Sequence, residues 1–269
     1  MIDSDLPIKD IMATIPENYV QLSQNWLQGR TGFGGLVAAV ACEHMHQQIE
    51  DKRTLRSFMG SFVAPTPAEK LSIETNKARE GKNVTQLSTN IIAPDGQLCF
   101  QSLAAFGVPR ETRETIPHEL PMKAEARDSA AVMERRLIQH SPLPNFLVNF
   151  DIHWTGGGIP MSGMKERRVG MWVKHNGALN CNPLPAILAL ADIPPAAVMS
   201  YYTSKMVISS LTWMIDVVAP MEQIDGSGWF YIDYKADAAA HGYSQQSGTI
   251  HAEDGTLVAL SRQCMCYFD

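Results

Sequence analysis

The chain repeats one order of features twice, and this repetition restricts its fold more than any other property of the sequence. In the first copy, glycines open an apolar helical pattern, LVAAVACEHMHQQI, and several strand-like segments follow as far as Gly107. In the second copy, the apolar segment LPAILALADI precedes another series of strand-like segments. Asp95-Gly96 and Asp254-Gly255 are hairpin signals at corresponding places. An internal duplication is the simplest explanation of this order.

Each copy predicts one helix followed by antiparallel strands, which is an α+β architecture. In the first copy, the apolar spacing after Gly35 predicts an amphipathic helix with a wide apolar face, and about four strands follow. A parallel α/β fold fits poorly, because it needs helices that alternate with strands along the chain. A sheet with an unpaired edge tends to pair with a second sheet. We therefore expect two fused halves, each a helix and a curled antiparallel sheet, that form one continuous sheet.

The predicted boundaries follow from the two copies and from the charged, proline-rich segment between them. Residues 1–108 form the N-terminal half, residues 109–144 the linker and residues 145–269 the C-terminal half. Within the linker, residues 123–138 have a composition compatible with a helix. Ahead of the second helix, NFLVNFDIHW and RRVGMWVKH predict two additional strands, with Gly156-Gly157-Gly158 in the loop between them.

The charge balance argues against binding to nucleic acid or to anionic membranes. The 269 residues carry a formal net charge of −6, and the clusters of basic residues are short. No apolar stretch is long and uninterrupted enough to be inserted across a membrane, and the acidic N-terminus does not fit a signal peptide. The five cysteines are widely scattered and odd in number. We interpret them as reduced thiols of a cytoplasmic protein.

Pairs of potential metal ligands lack the geometry of a metal site. His44 and His46 are two residues apart on a helix and face different directions, and Cys264 and Cys266 alternate on a strand. Gly156-Gly157-Gly158 lacks the strand-to-helix context of a dinucleotide-binding motif. We therefore predict neither a metal nor a cofactor.

Three segments together resemble the double-hotdog acyl-CoA thioesterases, and in particular the acyl-CoA thioesterase II type. They are Phe33-Gly34-Gly35 at the start of the first helix, the strand at residues 58–65, and the tail DGTLVALSRQ that begins at Asp254. The resemblance covers nearly the whole chain apart from the linker. It implies the double-hotdog fold, hydrolysis of acyl-CoA thioesters, an acyl-CoA substrate as the binding partner, and association into a homodimer or a larger homo-oligomer.

In that family, an aspartate, a threonine or serine, and a glutamine from the second half activate a water molecule. The resemblance places the aspartate at Asp192, near the end of the second helix. It places the hydroxyl at Ser210, counted back from Ala219-Pro220, and Ser209 is an adjacent alternative. The glutamine falls on Gln263, after the last hairpin.

The candidate substrate-binding residues are Gly34, Gly35 and Ser209. For the two glycines, close packing at the start of the first helix is an equally good explanation. Two positions depart from the family's pattern. Leu36 stands where the family often has glutamine, and the strand with Trp213 lacks the histidine that the family often carries.

The three residues carried over from the family have the groups that thioester hydrolysis requires. A carboxylate accepts the proton of the attacking water, while a hydroxyl and an amide hold that water in line with the carbonyl carbon. Without the resemblance, Asp192 would be read as a solvated helix end, and Ser210 and Gln263 as ordinary strand residues. The prediction is therefore an acyl-CoA thioesterase with its active site in the second half. A hotdog enoyl-CoA hydratase and a non-catalytic acyl-CoA-binding protein are the alternatives.

Overall fold

The computed structural model describes residues 6–49, 53–134, 138, 143–177 and 182–268. Its main feature is an antiparallel sheet of 12 strands, against which two helices pack. The helices are α1 (Ile8–Met12), α2 (Gly34–His46) and α3 (Pro183–Ala191). The strands are β1 (Tyr19–Gln21), β2 (Leu27–Gln28), β3 (Thr31–Gly32), β4 (Thr54–Phe62), β5 (Lys70–Glu80), β6 (Val84–Ile92), β7 (Leu98–Gly107), β8 (Ala131–Val132), β9 (Phe150–Gly157), β10 (Arg168–His175), β11 (Val207–Val217), β12 (Phe230–Ala240), β13 (Tyr243–Ala252) and β14 (Leu257–Phe268).

The order of strands in the sheet follows the duplication. The first half has the order β5-β6-β7-β4, and the second has the order β12-β13-β14-β11. Strands β4 and β11, the first strands after α2 and α3, pair with each other and join the halves. Strand β1 extends the first half beyond β5, and β10, β9 and β8 extend the second beyond β12. The predicted double-hotdog architecture, with two halves in one continuous sheet, is confirmed.

Both predicted Asp-Gly hairpins are present. Asp95-Gly96 joins β6 to β7, and Asp254-Gly255 joins β13 to β14. Gly96 has a φ of 86° and Gly255 a φ of 90°, a backbone region in which other residues are strained. Each aspartate accepts a hydrogen bond from the backbone N–H two residues further on. The two turns therefore fix the last pair of strands in each half in the same way.

Helix α2 is buried on nearly all sides, whereas the sequence predicted one apolar face. All residues from Gly35 to Cys42 are buried. Strands β4 to β7 contact the helix from the sheet, and α3 packs against it as well. A Cβ atom on Gly35 would lie 2.7 Å from the carbonyl oxygen of Ala189 in α3, so the two helices approach each other at backbone distance there.

Two strands form before α3, as predicted, but β9 begins only at Phe150, because Asn145–Asn149 form a 3-10 helix. Gly156 and Gly157, predicted to lie in the loop, belong to β9 and pair with β10.

The predicted linker helix is not present between residues 123 and 134. Arg127–Ser129 form a 3-10 turn, and β8 pairs with β9. The Trp172 indole of β10 donates a hydrogen bond to the backbone carbonyl of Glu125. The sheet thus supplies a partner that this carbonyl would otherwise find within a helix. Ile138 is helical, and residues 135–137 lie outside the described residues. In the part of the chain that the structure covers, no helix is both long and apolar enough to cross a membrane.

Candidate active site

Asp192 caps the C-terminus of α3 and faces the N-terminus of α2. Its carboxylate accepts a hydrogen bond from the backbone N–H of Gly35. A Cβ atom on Gly34 would lie only 2.7 Å from Asp192 Oδ2, so the carboxylate rests directly on the first turn of α2. The negative charge is unfavourable at the end of its own helix and favourable at the start of the other. The first half therefore stabilises a charge that the second half carries.

Gln263 on β14 joins Asp192 to Ser210 on β11. Its Nε2 atom donates one hydrogen bond to Asp192 Oδ1 at 3.0 Å and another to Ser210 Oγ at 2.8 Å. The amide has two N–H protons, and both are used in this way. The structure therefore brings the three predicted catalytic residues into one hydrogen-bonded group.

A β-bulge turns Ser210 toward the site. The register of β11 against β14 shifts between Ser210 and Thr212, so one residue of β11 is left without a direct partner. In a regular strand, Ser210 would point away from the face that carries the buried Trp213, because side chains alternate. The shift places Ser210 opposite Met265, whose side chain is buried on the same face as Gln263. Ser209 is exposed, and among the described contacts none joins its side chain to Asp192 or Gln263.

Gln246 on β13 holds the amide of Gln263 in position. Gln246 Nε2 donates to Gln263 Oε1 at 3.0 Å, and Gln246 Oε1 accepts a hydrogen bond from the backbone N–H of Ala197 at 3.3 Å. Both glutamines are buried. Because its oxygen is already occupied by a donor, Gln263 must direct its nitrogen toward the carboxylate of Asp192. No pattern in the local sequence pointed to Gln246, because its partner Gln263 lies on another strand.

Burial raises the pKa of Asp192 from its ordinary value of 3.8 to about 7. The hydrogen bonds from Gln263 and from the N–H of Gly35 lower the pKa again, but they only partly offset the loss of hydration. A carboxylate with a pKa near 7 is ionised about half of the time at neutral pH and is a stronger base than an ordinary aspartate. The site can therefore take a proton from water and return it within one reaction.

A second buried polar chain fixes the helix end that carries the aspartate. The Tyr234 hydroxyl donates to the carbonyl oxygen of Ala191, the last residue of α3, at 2.9 Å. It also lies 2.6 Å from Ser261 Oγ, which accepts a hydrogen bond from Trp213 Nε1. Trp213, on the strand that lacks the histidine often found in the family, is thus linked through Ser261 and Tyr234 to the end of α3. The sequence did not predict this series of hydrogen bonds, because the residues that form it are far apart along the sequence.

In the described residues of the first half, the positions that correspond to Ser210 and Gln263 lack the groups of the candidate site. Counted back from Val63-Ala64-Pro65, as Ser210 is from the Val-Ala-Pro of the second half, the matching residue is Leu55. Counted on from Gly96, as Gln263 is from the second Asp-Gly turn, the matching residue is Ala104. Neither side chain has a polar group, so the duplication is asymmetric at the level of chemistry. Leu36, the other departure from the family's pattern, is buried in the core.

Within the described residues, no cluster of three or more histidine, cysteine, aspartate or glutamate side chains has the arrangement of a metal site. His44 Nδ1 is 2.7 Å from Thr75 Oγ1, and its Nε2 is 2.9 Å from Asn18 Oδ1. His46 instead lies 3.0 Å from the Asn182 amide. The two histidines thus face different neighbours, as their spacing predicts.

Two family models match the sequence. Residues 22–107 match the acyl-CoA thioesterase N-terminal domain, and residues 118–267 match the acyl-CoA thioesterase C-terminal domain. Among the curated proteins, none has significant sequence similarity to the chain.

Solved structures share the fold along nearly the entire chain. A conserved protein of unknown function with a hot dog fold from Alicyclobacillus acidocaldarius superposes with a TM-score of 0.81 at 19% identity, covering 93% of this chain and 92% of its own. A putative thioesterase II from Thermobifida fusca gives a TM-score of 0.76 at 16% identity, with the same coverages. An acyl-CoA thioesterase II from Mycobacterium marinum gives 0.71 at 18% identity, again covering 93% and 92%.

Proposed function

This chain belongs to the acyl-CoA thioesterase family, and from that premise we propose that it hydrolyses acyl-CoA thioesters to a carboxylic acid and CoA. The water would be activated by Asp192 together with Ser210 and Gln263. The observation that carries the proposal is the hydrogen-bonded group of these three side chains around a carboxylate whose pKa is raised to about 7. No cofactor enters the reaction.

Each residue has a separate task in this proposal. Asp192 accepts a proton from water as the water oxygen bonds to the thioester carbonyl carbon. Ser210 orients that water. Its Oγ atom accepts a hydrogen bond from Gln263, so its hydroxyl proton points away from Gln263 and can be donated to the water. When the carbon–sulfur bond breaks, the protonated Asp192 returns the proton to the thiolate of CoA. Atoms and charges balance, and the carboxyl regains its starting form.

The thioester oxygen gains negative charge as the water attacks and needs hydrogen-bond donors. Gln263 does not supply them in this arrangement, because both of its amide protons already bind Asp192 and Ser210. The Gly35 N–H already binds Asp192, so the other backbone N–H groups in the first turn of α2, which lack partners within the helix, are the remaining donors beside the carboxylate. We therefore propose that the Gly34 N–H binds the thioester oxygen, whereas Gly35 lets α2 and α3 approach closely enough to form the site. A contact between Gly35 and the substrate stays a prediction. Ser209 stays a prediction without structural support.

The test is thiol release from a panel of acyl-CoAs of different chain length. We expect the parent protein to release thiol, and Asp192→Asn to lower kcat about 10²- to 10⁴-fold, the usual contribution of a general base. Ser210→Ala and Ser209→Ala form a matched pair that decides between the neighbouring hydroxyls. We expect a loss of about tenfold or more only for Ser210→Ala, because only that hydroxyl contacts Gln263.

Two outcomes would contradict the proposal at different levels. A parent protein that binds acyl-CoA but releases no thiol at any chain length would be a non-catalytic binding protein. An Asp192→Asn variant that hydrolyses as fast as the parent would show that another group is the base. The expected cytoplasmic location and the expected self-association stay predictions.

A further inference from the structure

Beyond the reacting group, β14 leads into a small apolar cluster that the proposed chemistry does not use. This methionine cluster consists of Ala196, Val198, Met206, Met265 and Tyr267. It is separate from the main hydrophobic core of the protein. The question is what an apolar cluster does directly beside the candidate site.

The methionine cluster begins at the catalytic residues themselves. Met265 is two residues beyond Gln263 on the same buried face of β14. It is also the direct cross-strand partner of Ser210. Cβ atoms of such partners lie about 4.5–5.5 Å apart. Any group that extends from the reacting carbonyl along β14 therefore meets the Met265 side chain first.

The methionine cluster ends at an open pocket of about 430 Å³. Val198 and Tyr267 belong to the cluster and also line the pocket. Tyr202 packs edge-to-face on Tyr267, with ring centroids 6.0 Å apart, and forms another part of the wall. The opposite wall is strand β12, where Ala236 and Ala239 leave room because their side chains are small. The candidate catalytic residues, the methionine cluster and the pocket thus lie in this order along one line, which follows Gln263, Met265 and Tyr267 on the buried face of β14.

We propose that this line is the acyl-chain subsite, with Met265 as the residue that sets how far the chain extends. The inference rests on the proposed function. A short acyl group ends at Met265, and a longer one displaces the flexible Met265 and Met206 side chains and enters the pocket beside Tyr267. Methionine suits this role, because it is unbranched and adapts its shape at little cost. The CoA arm carries amides and phosphates, so the apolar cluster does not match it. Arg167 is the charged residue on the pocket wall, and its guanidinium donates a hydrogen bond to the carbonyl of Asp237.

The test is the chain-length dependence of kcat/KM for butyryl-, octanoyl- and palmitoyl-CoA. Met265→Ala opens the path, and we expect it to raise the palmitoyl-to-octanoyl ratio about tenfold. Ala239→Leu narrows the pocket at an exposed position, so the fold is retained. We expect Ala239→Leu to lower kcat/KM for palmitoyl-CoA and to leave butyryl-CoA unchanged, with about a fourfold loss for each methylene that no longer enters. Met59→Ala, a methionine 47% exposed on β4, is the matched control and should leave the profile as it is.

Binding of non-hydrolysable S-alkyl-CoA thioethers separates this inference from the proposed function. If the parent releases no thiol but Kd falls with alkyl length and Ala239→Leu removes that dependence, the subsite is correct and the hydrolase proposal is wrong. If Met265→Ala and Ala239→Leu change all chain lengths equally, the inference is overturned. It is also overturned if they weaken inhibition by free CoA without changing the chain-length profile, because the line would then hold the CoA arm.

Discussion

Replacing Asp192 by asparagine, which removes the proposed base, is expected to stabilise the folded protein at alkaline pH. The pKa of the carboxyl is raised from 3.8 to about 7, mainly by burial. The folded state therefore holds this proton more tightly than the unfolded state. Stability that is present below the unfolded pKa is lost as the pH rises from about 4 through about 7, because ionisation then costs free energy in the folded state only.

The magnitude follows from the size of the shift. A shift of about three pH units at about 1.4 kcal/mol each gives roughly 4 kcal/mol, which the parent loses at pH 8.5 and the variant does not. Asparagine presents an NH₂ group to one of the two donors, Gly35 N–H or Gln263 Nε2, so one hydrogen bond is lost at a cost of about 1–2 kcal/mol. At pH 8.5 the free energy of unfolding of the variant should therefore exceed that of the parent by about 2 kcal/mol. This difference should shrink by about 2 kcal/mol when the pH is lowered to 5.5, since the parent's carboxyl is then almost fully protonated.

The assay is urea unfolding of parent and variant at both pH values, with the free energy of unfolding extrapolated to water. The control is Asp128→Asn, whose side chain is 94% exposed and which should change stability by less than about 0.5 kcal/mol at either pH. A variant that is no more stable than the parent at pH 8.5 would refute the reasoning. So would a gain of the same size at both pH values, since it could not come from the ionisation of Asp192.

Three further predictions concern the reaction itself. Because Asp192 must be ionised to accept a proton, kcat/KM should fall below a pH near 7 by about tenfold per pH unit, and a profile that is flat down to pH 5 would contradict this base. Gly34→Ala should lower kcat at least tenfold in the thiol-release assay, since the new Cβ would lie 2.7 Å from Asp192 Oδ2, whereas Gly156→Ala, in open space, should have no effect. Gln246→Leu frees the amide of Gln263 to rotate and should lower kcat about tenfold with unchanged circular dichroism, and a fully active variant would show that this contact is dispensable.

Much of the fold could be predicted from the sequence because the duplication constrains it twice. The same turn, Asp-Gly, and the same strand ending, Val-Ala-Pro, occur in both halves and fix corresponding registers. The all-round burial of α2 could not be predicted, because the periodicity of one helix does not show that a second helix covers its other face. The linker between residues 123 and 134 departed from the helical pattern, since strand β9 and Trp172 offered its backbone other partners.

The candidate site was only partly predictable, and the reason is geometric. Asp192, Ser210 and Gln263 were named from the resemblance, and the structure brings them together. The bulge after Ser210 turns Ser210 toward Gln263, whereas regular alternation along the strand would turn Ser209 there. The supporting role of Gln246 depends on strand pairing, which leaves no mark in the local sequence.

Because Asp192 contacts the first turn of α2, the candidate site is complete only when the two halves are associated. The carboxylate belongs to the second half of the duplication, and the Gly35 N–H that binds it belongs to the first. Neither half alone holds both the Asp192 carboxylate and the first turn of α2, so the candidate site needs both halves. If the halves were produced as separate polypeptides, we expect thiol release only after β4 and β11 have paired. Its rate would then measure the concentration of reassembled protein.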